Sequence, residues 1–112
     1  MKVPQLNRKL VLEAPERTPD GAGGYTIEWT ALGTVWGAFK PGSGRETAAV
    51  GATLSRANYK IILRAAPVGQ SLRPQPDQRL RDGVRAFLIQ AVTEHDRAGL
   101  YLVCHAIEEV VA

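Results

Sequence analysis

The sequence predicts a small all-β protein, an antiparallel β-barrel or sandwich of six to seven strands with one long inter-strand loop. Three observations lead to this prediction. Apolar residues recur mostly with a period of two, and clusters of turn residues interrupt these runs at short, regular intervals. One further stretch of about seventeen residues, 41–57, is rich in Gly, Ala, Ser and Thr and is longer than most loops of compact domains. At 112 residues, the chain is expected to form a single domain, 1–112.

Three strands are predicted before the long loop. Leu6–Glu13 alternates apolar and polar residues and is predicted to be the first strand. The segment "APERTPDGAGG" follows, and its prolines and glycines predict a turn. Tyr25–Thr30 alternates again and is rich in residues that favour strands, and residues 34–40, "TVWGAFK", are predicted to be the third strand.

The remaining strands are predicted after the long loop. Tyr59–Arg64 alternates and is predicted to be the fourth strand, whereas the three prolines of the link 65–78 exclude a central strand there. The Asp82-Gly83 pair lies between two alternating segments, which is among the strongest sequence signals for a hairpin. A second turn, "EHDRAG", leads to an alternating final strand over 100–111.

The side chains expected to form the core are apolar or aromatic residues of these strands. They are Leu10, Ile27, Trp29, Val35, Trp36, Tyr59, Ile61, Leu63, Phe87, Ile89, Val92, Leu102 and Cys104.

Composition restricts the class of protein. The net charge of +3 is compatible with work near nucleic acid but is too small for a dedicated DNA-binding protein. Cys104 is the single cysteine, so no intramolecular disulfide is possible, and its apolar surroundings predict a buried thiol. No segment resembles a signal peptide or a membrane span, so we expect a protein made in the cytosol with no membrane partner.

No motif for catalysis or for metal binding is found. His95 and His105 lie in a predicted turn and on a predicted strand, and together with Cys104 they lack the spacing of a zinc site. The segment "PGSGRE" lacks the spacing and the lysine of a phosphate-binding loop. We therefore expect no enzyme activity, no metal and no cofactor.

The order of the segments resembles a known family. "LNRKLVL", a Pro/Asp/Gly turn, a strand ending in Trp, "VWGAFKP-GSGRE", an Ala-rich loop, "YKIILR", "PDQRLRDGVRAFLIQAV" and "LYLVCHA" follow one another over about residues 5–106. This arrangement is similar to that of the small head–tail joining proteins of tailed bacteriophages, also called head-closure or stopper proteins, which occur in gene transfer agents as well. The C-terminal "AIEEVVA" departs from the smaller and more polar end that is common in the family.

The resemblance implies a structural role in the neck of a phage or gene transfer agent particle, assembled in the bacterial cytoplasm. It implies a homo-oligomeric ring between the portal–adaptor complex and the tail, in which the long loop gates the channel for double-stranded DNA without reading its sequence. It also implies that the ring offers the docking surface for the tail. The residues expected near DNA are all in the loop: Gly42, Ser43, Gly44, Arg45, Glu46, Gly51 and Arg56.

Two alternatives remain open from the sequence. A tail terminator-like ring protein of the same particle is also small and contains β-strands. A nucleic-acid-binding barrel would interleave aromatic and basic residues on one face, whereas most aromatic positions here have apolar neighbours.

Overall fold

A computed structural model describes residues 4–41 and 58–109. This part of the chain contains six strands and no helix. The strands are β1 (Arg8–Pro19), β2 (Tyr25–Pro41), β3 (Asn58–Arg64), β4 (Arg79–Asp82), β5 (Arg85–Glu94) and β6 (Tyr101–Glu109).

The six strands form one antiparallel sheet whose hydrogen bonding closes into a ring. The order around the ring is β1-β2-β3-β6-β5-β4. A short pairing of β4 with β1, over Val11–Glu13 and Arg79–Arg81, closes it. The predicted all-β antiparallel fold is confirmed, with the lower of the two predicted strand counts.

Strand β2 joins two segments that the sequence predicts as separate strands. It runs without interruption from Tyr25 to Pro41, and its register with β1 shifts between Leu12 and Glu13. Gly33 lies at this β-bulge with a φ of +156°, and a Cβ there would come within 2.6 Å of the Leu72 side chain. The glycine therefore bends a continuous strand where the sequence indicates a break.

The segment predicted as a turn, residues 14–24, is mostly strand. β1 continues to Pro19 and pairs with β2, and only 20–24 form the connection, where the Asp20 carboxylate accepts hydrogen bonds from the amides of Ala22 and Gly24. Beyond Glu13, no other described segment pairs with the far side of β1, and an edge strand accommodates Pro15 because no ladder hydrogen bond is needed there. Residues 14–30 thus form a two-stranded hairpin that extends past the closed sheet, here called the arm.

The core lies inside the closed part of the sheet. Fully buried there are Leu10, Leu12, Ile61, Leu63, Leu80, Phe87, Ile89 and Cys104, and Leu102 is also buried. Val35, Tyr59 and Val92 pack against this cluster and are partly buried.

Two of the residues expected in the core are exposed. Ile27 is 57% exposed because it lies on the arm, beyond the closed sheet. Trp36 is 52% exposed because its neighbour Gly37 points inward, towards Leu10 and Leu63, and alternation turns Trp36 outward. The prediction that these two side chains are core residues is wrong, and Trp29, which is half-buried on the arm, lies outside the core cluster as well.

Candidate functional surface

The residues predicted to lie near DNA, Gly42, Ser43, Gly44, Arg45, Glu46, Gly51 and Arg56, are outside the described residues. The structure does define the strands from which this loop emerges. Pro41 pairs with Tyr59 and Lys40 pairs with Lys60, so the two ends of the loop start from neighbouring antiparallel strands.

Antiparallel order brings other chain segments to the same end of the sheet. β1, β3 and β5 begin there, whereas β2, β4 and β6 end there. The two-residue Gly83-Val84 turn therefore lies at this end, with Gly83 at a φ of +62° and Val84 94% exposed. We call this end of the sheet the loop base.

Three aromatic rings pack on one another at the loop base. Phe39 of β2, Tyr59 of β3 and Phe87 of β5 have ring centroids 4.9–5.9 Å apart in edge-to-face arrangements. Such pairs stabilise by about 0.5–1.5 kcal/mol each beyond the area that they bury. The rings connect three strands, so both ends of the long loop are anchored to the core.

Arg8 covers the aromatic cluster from the first strand. Its guanidinium carbon lies 4.1 Å from the centroid of the Phe39 ring, and the same group forms an ion pair with Asp82 at the end of β4. These contacts connect β1 and β4 to the aromatic cluster.

Arg85 forms the second charged contact of the loop base. Its Nε and Nη2 atoms donate to the two carboxylate oxygens of Glu108 at 2.8 and 3.0 Å. The same Nη2 atom also lies 3.4 Å from the Tyr59 hydroxyl. The hydrogen bonds from Arg85 hold the pKa of Glu108 below its usual value, although partial burial opposes the shift. Conversely, Glu108 raises the pKa of Arg85. The pair therefore stays charged and fixes the end of β6 against the start of β5.

A row of basic side chains crosses the outer face of the sheet beside the loop base. Lys40 lies directly opposite Lys60, and Lys60 lies directly opposite His105 on the next strand. The Nε2 atom of His105 is 3.1 Å from the Thr93 hydroxyl. Within 4–41 and 58–109, no carboxylate forms an ion pair with either lysine. This basic row, Lys40–Lys60–His105, is therefore suited to bind anionic groups of another molecule.

A third charged cluster lies where the arm joins the closed sheet. Glu13 is only 3% exposed and accepts a hydrogen bond from Arg79 Nε at 2.6 Å, while Arg81 Nε lies 3.6 Å away. The Arg79 guanidinium also stacks on the Trp29 ring of the arm, 4.2 Å from its centroid. The Glu13 cluster thus fixes the root of the arm on the outer face of the sheet.

The ion pairs of Arg8, Arg85 and Glu13 are not apparent in the sequence because their partners are distant along the chain. Arg8 and Asp82 are 74 positions apart, and Glu13 and Arg79 are 66 apart. The available signal is charge at strand ends, but only the register of the sheet shows which charges meet.

Other kinds of site find no support in the described part of the chain. Residues 4–41 and 58–109 contain no group of three His, Cys, Asp or Glu side chains placed to hold a metal ion. They also contain no helix with the length and hydropathy needed to cross a membrane. The Cys104 thiol is buried, and burial raises its pKa to about 12, which makes it a poor nucleophile at neutral pH.

Comparison with known proteins points to one kind of particle. The family model described as "Phage head completion protein" matches residues 1–110. A chain in the structure of the virion of a native gene transfer agent (GTA) particle is 53% identical, with a TM-score of 0.83; the match covers 98% of this chain and 100% of that one.

A second solved structure shares the fold. The solution structure of protein SF1141 from Shigella flexneri 2a matches with a TM-score of 0.66 over 96% of both chains. Its 20% sequence identity supports a common fold and nothing further. No match was found among curated proteins.

Proposed function

Because the chain belongs to the phage head completion protein family, we propose that it is a structural part of a tailed-phage or gene transfer agent particle that closes the DNA-filled head. The observation that carries this proposal is the family match over 1–110. The 53% identity to a chain of a GTA virion, over nearly the whole length of both chains, supports it independently. The role is mechanical, and no catalytic step is needed for it.

In the detailed form of the proposal, residues 1–112 act as one domain, and copies of it form a ring between the portal–adaptor complex and the tail. The loop 41–57 narrows the channel to retain packaged DNA and is displaced when DNA leaves. The loop base supports this role because the aromatic cluster and the pairs Arg8–Asp82 and Arg85–Glu108 hold the loop-bearing strands together. A fixed base lets the loop move without disturbing the core.

Contact with DNA would be electrostatic and independent of its sequence. Arg45 and Arg56 bracket the loop, and basic side chains neutralise phosphates whatever the bases are. The aromatic cluster of the loop base does not favour the alternative of a small nucleic-acid-binding barrel. Phe39, Tyr59 and Phe87 pack against one another, and Phe87 is completely buried, so they offer no platform on which bases could stack.

The test is deletion of the gene in the host that makes the particle, followed by electron microscopy. We expect heads that have lost DNA beside free, complete tails, and restoration of whole particles by the intact gene. DNA-filled, tailed particles in the deletion strain would refute head closure. A variant lacking 43–56 separates the two detailed functions, because loss of DNA from tailed particles would assign the loop to sealing, and tail-less particles would assign it to docking.

A further inference from the structure

The arm carries a pair of directly opposed like charges, Glu16 and Glu28. Glu16 of β1 lies directly opposite Glu28 of β2, both are exposed, and neither forms an ion pair within the residues that the structure describes. Like charges at directly opposed positions of an antiparallel pair are destabilising. The acidic pair therefore requires an explanation outside the arm itself.

The basic row also places like charges next to each other, here positive ones. Lys40 and Lys60 are also directly opposed on neighbouring antiparallel strands, and His105 continues the row on the third strand. Directly opposed residues have Cβ atoms about 4.5–5.5 Å apart, so the two acidic side chains and the two lysine side chains leave the backbone at nearly the same lateral spacing. If the acidic pair meets the lysine pair, each carboxylate can bind one ammonium group. The two ion pairs then offset the repulsion between the two carboxylates and between the two ammonium groups.

The two pairs cannot meet within one copy. Glu28 and Lys40 lie on the same strand, β2, and at about 3.3 Å per residue they are about 40 Å apart along it. The length of the molecule, 52 Å along its longest axis, agrees with this separation. The Glu13 cluster, with Arg79 stacked on Trp29, holds the root of the arm to the sheet.

We propose that the arm of one copy docks on the basic row of the next copy, with Glu16 and Glu28 of the first facing Lys40, Lys60 and His105 of the second. This inference deepens the proposed function, because it rests on ring assembly and assigns the contact that builds the ring. The contact is heterologous, which means that it joins two different surfaces of the same chain. Repetition of such a contact gives a closed ring when the rotation closes.

The direct test is cross-linking through engineered cysteines on the full chain. Protein carrying Glu28→Cys is mixed with protein carrying Lys60→Cys under mild oxidation. Both positions are exposed, and the native Cys104 is buried and present in every variant as an internal control. A disulfide traps even a weak, transient contact, so the test does not require a stable ring in solution. We expect a dimer from the mixture and little from either variant alone.

The matched control replaces Lys60→Cys by Lys9→Cys, which removes the same kind of exposed charge elsewhere on the outer face of the sheet. Equal cross-linking of Glu28→Cys with both partners would overturn the proposal. Circular dichroism of each variant excludes misfolding as the reason for a low yield.

Charge exchange provides a second test. Adding Glu16→Lys to the Glu28→Cys protein should lower the cross-linking yield about two- to fivefold at low salt, as expected for an exposed ion pair. Adding Lys40→Glu to the Lys60→Cys partner should restore it. Failure of this rescue would show that the two pairs do not face each other.

The outcomes distinguish this contact from the proposed function as a whole. If Lys40→Glu/Lys60→Glu weakens binding to a DNA duplex and the cross-link is absent, the basic row binds DNA and the ring contact is refuted, while head closure stands. If the cross-link forms but the deletion strain makes DNA-filled, tailed particles, the contact stands and head closure fails.

Discussion

Removing the Glu13 carboxylate should lower the free energy of unfolding more than removing any exposed carboxylate of the arm. Glu13 is 3% exposed and receives a 2.6 Å hydrogen bond from Arg79, whose side chain is itself 16% exposed. Breaking a buried ion pair from one side generally costs 3–5 kcal/mol, because the remaining charge stays buried without a partner. In this cluster the cost is reduced, since Arg81 is 47% exposed and can turn to water, and Glu109 lies 3.9 Å from Arg79. We therefore expect Glu13→Ala to lower the free energy of unfolding by about 2–3 kcal/mol.

The assay is urea or thermal unfolding followed by circular dichroism. For a domain of this size the expected loss corresponds to a decrease in Tm of about 10 °C. Glu16→Ala is the matched control, because Glu16 is an exposed acid on the same strand with no ion pair among the described residues. It should change stability by no more than about 0.5 kcal/mol. Equal Tm values for the two variants would refute the assignment of Glu13 as a structural buried charge.

Three further predictions concern the loop base and the core. Because Arg85 lowers the folded-state pKa of Glu108, its contribution to stability is complete above the unfolded-state pKa of about 4.3 and is lost as the pH falls through the folded-state value. The difference in Tm between the natural protein and Glu108→Gln should therefore disappear in strong acid, and a difference independent of pH would contradict this. The Cys104 thiol, with its pKa raised to about 12, should not react with a thiol reagent at pH 8 until urea unfolds the protein; rapid reaction of the folded protein would show that it is accessible. Gly37→Ala should cost about 1–3 kcal/mol in a urea titration, because the new methyl group would lie 2.9 Å from the Leu63 side chain inside the core, and an unchanged midpoint would show that the core yields there.

Local sequence pattern predicts the structure where it alone decides it. Alternation predicts a strand over residues 59–64, and β3 spans Asn58–Arg64. Local pattern is misleading at the arm, where Pro15 and Pro19 indicate a turn by composition, because the sequence does not reveal that this part of β1 lies at an edge that tolerates proline. The exposure of Ile27 has the same origin, since alternation predicts which side chains share a face but not whether another layer covers that face.

The candidate surface was less accessible to prediction than the fold. The loop residues expected near DNA stay a prediction, since they are outside the described residues. The contacts at the loop base depend on long-range register, and Arg85 reaches Glu108 only because β5 and β6 are neighbours. Opposed like charges such as Lys40 and Lys60 are likewise visible only when the register is known.

The attachment of residues 42–57 to the end of β2 at Pro41 and to the start of β3 at Asn58, two strands paired in the sheet, has an evolutionary consequence. The ends of the insertion are already held together by the sheet, so the entropy of closing it grows only with the logarithm of its length. Doubling the insertion costs about 0.6 kcal/mol, a small part of the stability of a typical domain. Selection can therefore lengthen, shorten or replace this segment while the sheet remains unchanged, and related proteins can differ in this segment without needing a different fold.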